Sequence, residues 1–150
     1  NVLGFKKGTR GDTVLKEGIL QVSEMYPHID QISQEKVVAI LKEDDRILVK
    51  TNKATYSAQI VVVAVGPSNL FNIEGLMEYV QPHKNLPPQK ERIMLKNEHH
   101  LVTEGIYVVG VLAGWISQYA IAAGSGAQVG TDILSSWNGG NFTMIHDVIS

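Results

Sequence analysis

Apolar and polar residues follow one another along this chain in three rhythms. The first is helical. Val14, Leu15, Gly18, Ile19, Val22, Met25 and Tyr26 recur at the spacing of one helix face. The pattern predicts a helix capped by Asp12, with an apolar stripe facing a core, that ends near Pro27. Short strands come next. Residues 36–41 (KVVAIL), 46–51 (RILVKT) and 54–57 (ATYS) are separated by Glu43-Asp44-Asp45 and by Asn52-Lys53. Their short gaps and charged tips fit an antiparallel meander.

The third rhythm begins at residues 60–65 (IVVVAV), apolar on both faces and closed by Gly66-Pro67. Such a run reads as a strand inside a covered, mostly parallel sheet. It returns at residues 106–109 (IYVV), before Gly110. Residues 117–137 predict a second helix, rich in small residues and stopped by Asn138-Gly139-Gly140. Between the two apolar strands, residues 68–100 are irregular and contain Pro82, Pro87 and Pro88. A short helix near residues 73–80 and a short strand at 92–95 are expected in this connector. The order of elements is that of an α/β domain. It lacks the strand, glycine turn and helix that open a nucleotide-binding sheet.

Composition narrows the chemistry. A chain of 150 residues suits one domain, and 44% hydrophobic with 19% charged residues is ordinary for a globular protein. Thirteen Lys and Arg against fifteen Asp and Glu argue against a nucleic-acid surface. The absence of cysteine excludes a disulfide framework, a thiolate metal site, a catalytic cysteine and a redox-active Cys-x-x-Cys pair. No apolar run approaches the ~18 residues that span a bilayer, and the opening NVLGFKKGTRGD does not read as a signal peptide. A cytoplasmic protein is the expectation. The chain opens on Asn1, as if in mid-sequence.

The densest chemistry lies in residues 105–130 (GIYVVGVLAGWISQYAIAAGSGAQVG). A helix start near Ser117 would expose backbone N–H groups and a partial positive charge, which attract phosphates or electron-rich carbonyls. Gly124, Ser125 and Gly126 either let a ligand or another backbone come close or serve only tight packing. Gly124-x-Gly126-x-x-x-Gly130 is no dinucleotide fingerprint, because it lies within a helix and not directly after a strand. Trp115 and Tyr119 suit either stacking on an aromatic ligand or partial burial. His99-His100, on an extended segment, should point to opposite faces and so read as surface residues, not metal ligands. Asp44-Asp45 reads as a solvated turn tip. Ser117, His146 and Asp147 show no spacing that marks a hydrolytic triad.

These segments carry a resemblance. Gly105-Ile106-Tyr107-Val108-Val109-Gly110, then Ser117-Gln118-Tyr119-Ala120, then Ala123-Gly124-Ser125-Gly126 resemble the C-terminal flavin-binding segment of the thioredoxin-reductase-like flavoproteins, in the pyridine nucleotide-disulfide oxidoreductase superfamily. Residues 60–66 (IVVVAVG) are similar to that family's strand ending in Ala-Thr-Gly, with Val65 for Thr. Residues 1–12 are similar to its Asn-x-x-Gly-Phe loop. The likeness covers residues 1–66 and 90–138. It implies an α/β, FAD-binding Rossmann-like three-layer domain in two halves, 1–66 and 90–138. A connector at 67–89 replaces the NAD(P) domain, and a tail spans 139–150. The family's first strand, Gly-rich loop and helix have no counterpart. Gly110-Val111 also replaces the Gly-Asp whose carboxylate accepts a ribityl hydroxyl of the flavin.

By the same resemblance, Gly66, Gly110, Val111, Ser117, Gln118, Tyr119 and Ala120 would contact FAD, and Val37, after Lys36, would lie at the adenine. The implied activity is FAD-dependent electron transfer without a redox dithiol, with electrons from an external donor. The alternative is a redox-inactive nucleotide-binding or assembly module that kept the flavoprotein fold. A partner chain, a second copy or an upstream segment of a larger flavoenzyme is expected to supply the first strand. Neither nucleic acid nor membrane is expected as a partner.

Overall fold

The first helical rhythm becomes α1 (Gly11–Met25). Its N-cap is Arg10, with no side-chain cap bond, and Asp12 sits in the first turn, where its carboxylate accepts from Arg10 Nε and from the Thr13 N–H. In this computed structural model, which describes residues 4–144, no residue of α1 is buried. Among the described residues the expected core-facing stripe has no buried member: Leu15 and Ile19 are 72% and 59% exposed. The helix belongs to one unit, Asn1–Glu35, in which Gln31 Nε2 reaches back to Ser23 Oγ at 2.8 Å. All other elements belong to the second unit, Lys36–Ser150.

That unit opens on the expected meander: β1 (Val37–Glu43), β2 (Arg46–Thr51) and β3 (Thr55–Ala58), antiparallel in that order. Glu43 pairs with Arg46 across the Asp44-Asp45 tip, where Asp44 takes φ +51°, a left-handed conformation that short polar side chains tolerate. β4 (Val61–Val63) pairs in parallel with β8 (Ile106–Val108), and β7 (Leu101–Thr103) pairs antiparallel on the far side of β8. The connector is more structured than its prolines suggested. β5 (Val80–Pro82) and β6 (Ile93–Leu95) form an antiparallel pair, and Met77–Tyr79 make a 3-10 turn where a longer helix was expected. α2 (Tyr119–Trp137) closes the order.

One core joins these pieces. Ile40 and Ile47 of the meander, Leu76 and Leu95 of the connector, and Val63, Val108 and Leu112 around the parallel pair share it. Leu76, Leu95 and Leu112 are fully buried, each contributing about 1.5–3 kcal/mol by removal from water. Gly75 lets the connector close on the meander. The chain bonds to β1 there through Ile40 N–H to Glu74 O and Glu74 N–H to Val38 O, both 2.9 Å. At φ +84°, a Cβ on Gly75 would lie 2.0 Å from the Ile40 carbonyl oxygen.

Two expectations are corrected. The Val-rich run is a strand for three residues only, and Val62 and Val65 are 42% and 47% exposed. Among the described residues β4 is an edge strand with β8 as its single neighbour, and its faces differ: Val63 is buried while Val62, on the opposite face, is not. The sheet is mixed and small, with one parallel pair in place of a mostly parallel array. The architecture among the described residues is thus a mixed α/β one: two helices, two three-stranded sheets and one two-stranded sheet. No helix among them is long and apolar enough to cross a membrane.

Candidate functional site

Parallel pairing decides what the ends of β4 and β8 bring together. Val63 stands opposite Val108, and the Val109 N–H donates to the Val63 carbonyl at 3.0 Å. The chain therefore leaves both strands at the same edge of the sheet, at Gly66 and Gly110. At φ +67°, Gly110 turns the chain into a 3-10 segment, Gly110–Ala113. Its N–H donates to the buried Ser125 Oγ at 2.6 Å, which ties the end of β8 to α2.

α2 begins after Gln118, an extended N-cap residue with no side-chain cap bond. Ser117, Gln118, Tyr119 and Ala120 are all exposed. A helix start carries partial positive charge and outward N–H groups, and the C-terminal edge of parallel strands is where α/β sheets gather ligands. Sequence-predicted Gly66, Gly110 and Val111 thus lie past the same end of the β4–β8 pair, and residues 117–120 lead into α2, which the Gly110 N–H reaches at Ser125. Val37 lies on β1, in the separate meander sheet; the neighbouring Lys36 N–H and carbonyl are both taken by Asn52, at 2.9 and 3.0 Å.

The far side of the Gly110–Ala113 turn is held by polar side chains, of which the sequence had singled out only His100, and that as a surface residue. His83 Nε2 bonds the Val111 carbonyl at 3.0 Å, while the Asn85 N–H donates to His83 Nδ1 at 3.2 Å. The proton is therefore on Nε2. Asn85 Nδ2 donates to the Gly114 carbonyl at 2.7 Å, and Asn97 Nδ2 to the carbonyls of Leu95 at 2.7 Å and Ala113 at 3.2 Å. His100 Nδ1 donates to the Val108 carbonyl at 2.9 Å, and its N–H to Asn97 Oδ1 at 3.2 Å. Four carbonyls between residues 108 and 114 are fixed this way. The only foreshadowing is that two His and two Asn cluster around the connector's last strand, and His and Asn side chains commonly serve loop carbonyls.

Other predicted residues fall differently. A side chain at Gly124 or Gly126 would meet nothing within 4 Å, so the close approach expected there is not made by any described residue. His99 and His100 do not lie on an extended segment with opposed faces. They are the two residues of a tight hairpin turn, and both line one cavity with Trp115. No group of three metal-ligating side chains occurs among the described residues. Tyr119 is 47% exposed at the helix start. His146 and Asp147 lie outside the described residues.

Compared with known proteins, the chain matches no family model and no curated protein sequence.

N–H groups at a helix start are of the kind that suits the carbonyl-rich edge of a flavin ring, and a Cβ at Gly110, Gly124 or Gly126 would meet nothing within 4 Å. Val111 offers no carboxylate for a ribityl hydroxyl, and its carbonyl is already engaged by His83. Among the described residues no strand–glycine loop–helix stands ready for a pyrophosphate.

Proposed function

We propose that this chain is a flavin-binding domain of the thioredoxin-reductase-like type, an FAD-dependent oxidoreductase without a dithiol of its own. The observation that carries the reading is the parallel β4–β8 pair, with Gly110 at the end of β8 bonded through its N–H to Ser125 in the second turn of α2. The order of elements around it, meander before and helix after, agrees with the resemblance. When bound, the flavin supplies the redox chemistry. The chain's own part is positional: Gly110 admits the ring, and the N–H groups after Gln118 face its pyrimidine edge. The positive end of the α2 dipole favours negative charge there. Electrons would come from an external donor, in a cytoplasmic setting. A second copy or a partner chain would pair with the open edge of β4.

A second reading, a redox-inactive nucleotide-binding or assembly module, is favoured by Val111, which stands where the family has its carboxylate, and by the lack of a strand–glycine loop–helix among the described residues.

Titration with FAD and with riboflavin, followed by quenching of flavin emission, tests the proposal. Both should bind, with affinities within about tenfold of each other, because the described residues cradle only the ring half. Failure of both to bind would end the flavin reading.

A further inference from the structure

Glu98 and Leu101 exchange backbone hydrogen bonds at 2.9 and 2.8 Å, so the hairpin between them turns on two residues, His99 and His100. Both have positive φ, +46° and +72°. A turn with two left-handed residues is ordinarily made by Asn-Gly or Asp-Gly, which take that conformation at little cost. Two imidazole side chains there hold backbone strain, and strain of this kind collects at sites where the side chains are needed. Other short hairpins meet a left-handed position differently: Asp44 supplies it between β1 and β2, and Gly105, at φ +77°, between β7 and β8.

Both rings line one cavity of about 480 Å3, with Lys84, Trp115, Gln128 and Asp132 among the other walls. Its parts are set. His100 gives Nδ1–H to the Val108 carbonyl, so in the neutral ring Nε2 is an acceptor. The Trp115 indole lies 6.0 Å from the His100 ring and is 45% exposed, an apolar wall. The Lys84 ammonium stands 5.9 Å from the indole centroid, within cation–π range. Among the described residues no carboxylate pairs with Lys84. Gln128 Nε2 donates to Asp132 Oδ1 at 2.8 Å and holds that carboxylate in place. A cation and an anion thus line the same cavity without pairing with each other, beside an indole and a ring acceptor.

We propose that the cavity under the His99-His100 turn binds an amino or hydroxy acid with an apolar side chain. Its carboxylate lies at Lys84, its ammonium or hydroxyl donates to Asp132 and His100 Nε2, and its side chain rests on Trp115. The inference does not depend on flavin binding.

Four compounds of one skeleton separate the contributions: phenylalanine, phenyllactate, 3-phenylpropionate and phenethylamine. Trp115 emission reports binding once Trp137, 64% exposed, is replaced by Phe. Phenylalanine or phenyllactate should give a saturable change, and 3-phenylpropionate and phenethylamine should bind at least about tenfold more weakly. The tighter of the first two tells an ammonium site from a hydroxyl site. Lys84→Met, at an exposed position, should weaken binding about tenfold with little change in melting temperature. No saturable response to either acid, equal responses to all four compounds, or full binding by Lys84→Met would each overturn the proposal.

Discussion

The molecule builds its two candidate binding places by opposite means. At the ends of β4 and β8 the working groups belong to the backbone: glycines that make room and N–H groups at a helix start. Under the His99-His100 turn they belong to side chains brought from the connector, the hairpin, the loop before α2 and α2 itself. A backbone site is written in consecutive residues and reads as a motif. A side-chain site is assembled by folding, and nothing in the spacing of Lys84, His99, Trp115 and Asp132 announces it. The two places share the Gly110–Ala113 turn, tied to Ser125 through its first N–H and to the connector through its carbonyls. Cutting the ties one at a time separates them.

The largest effect is expected at Asn97. Its amide serves two carbonyls and its oxygen accepts the His100 N–H, so Asn97→Leu leaves three partly buried backbone groups without their partners. A loss of about 3 kcal/mol is expected, read as a lower urea midpoint, together with loss of the cavity beneath the His turn. A change under about 0.5 kcal/mol would show that the side-chain ties do not hold the turn.

Val111→Asp comes next and sets the two functional readings against each other. A carboxylate there offers the acceptor that a ribityl hydroxyl lacks, and FAD affinity should rise about tenfold, the equivalent of ~1.4 kcal/mol. A variant that melts several degrees early and takes up no flavin would favour the assembly module, because it would mean an unpaired carboxylate in an apolar place.

Ser125→Ala cuts the tie on the other side. The Gly110 N–H loses its acceptor, at an expected cost of about 1–2 kcal/mol. Hydrogen exchange at Gly110 should quicken. Flavin binding should weaken, while phenylalanine or phenyllactate binding at the cavity is unchanged. Equal losses at both places would mean that they are one cooperative structure.

How much of this was legible follows from range. β2 falls on residues 46–51, where the polar tips on either side of a short apolar run put it, and α2 ends where Asn138-Gly139-Gly140 said it would, because those signals are local. β5 was missed: Val80-Gln81-Pro82 has no strand signal of its own and is a strand only because β6 lies beside it. The Val-rich run was assigned to a covered strand because apolar residues report a tendency to be buried, not the presence of a neighbour to do it. The same holds for α1, whose stripe has the right spacing and no buried residue. The turn at Gly110 and the start of α2 after Gln118 were readable from glycine and helix-start chemistry. His83, Asn85 and Asn97 were not, because a side chain that caps a distant carbonyl leaves no mark in spacing. His99 and His100 were misread for a related reason. Their faces depend on a turn whose left-handed geometry the sequence, lacking Gly or Asn, does not advertise.

The smallest effect is expected at Gly124, and it bears on what the backbone site is for. The position lies in α2, is exposed, and offers space for a methyl group with nothing within 4 Å. Glycine inside a helix is less stable than alanine by roughly 0.5–1 kcal/mol, through the freedom it keeps in the unfolded chain. Gly124→Ala should therefore raise stability by about that amount, with no opposing steric cost from the described residues. If stability were the only demand, alanine would serve this position better. Should a flat ring rest against this face of α2, the added methyl would lift it, and flavin affinity would fall while the melting temperature rises. A variant that gains stability and keeps its full affinity for riboflavin would place the ring nearer Gly110, away from the Gly124 face. A variant that loses stability would reveal a close neighbour at Gly124.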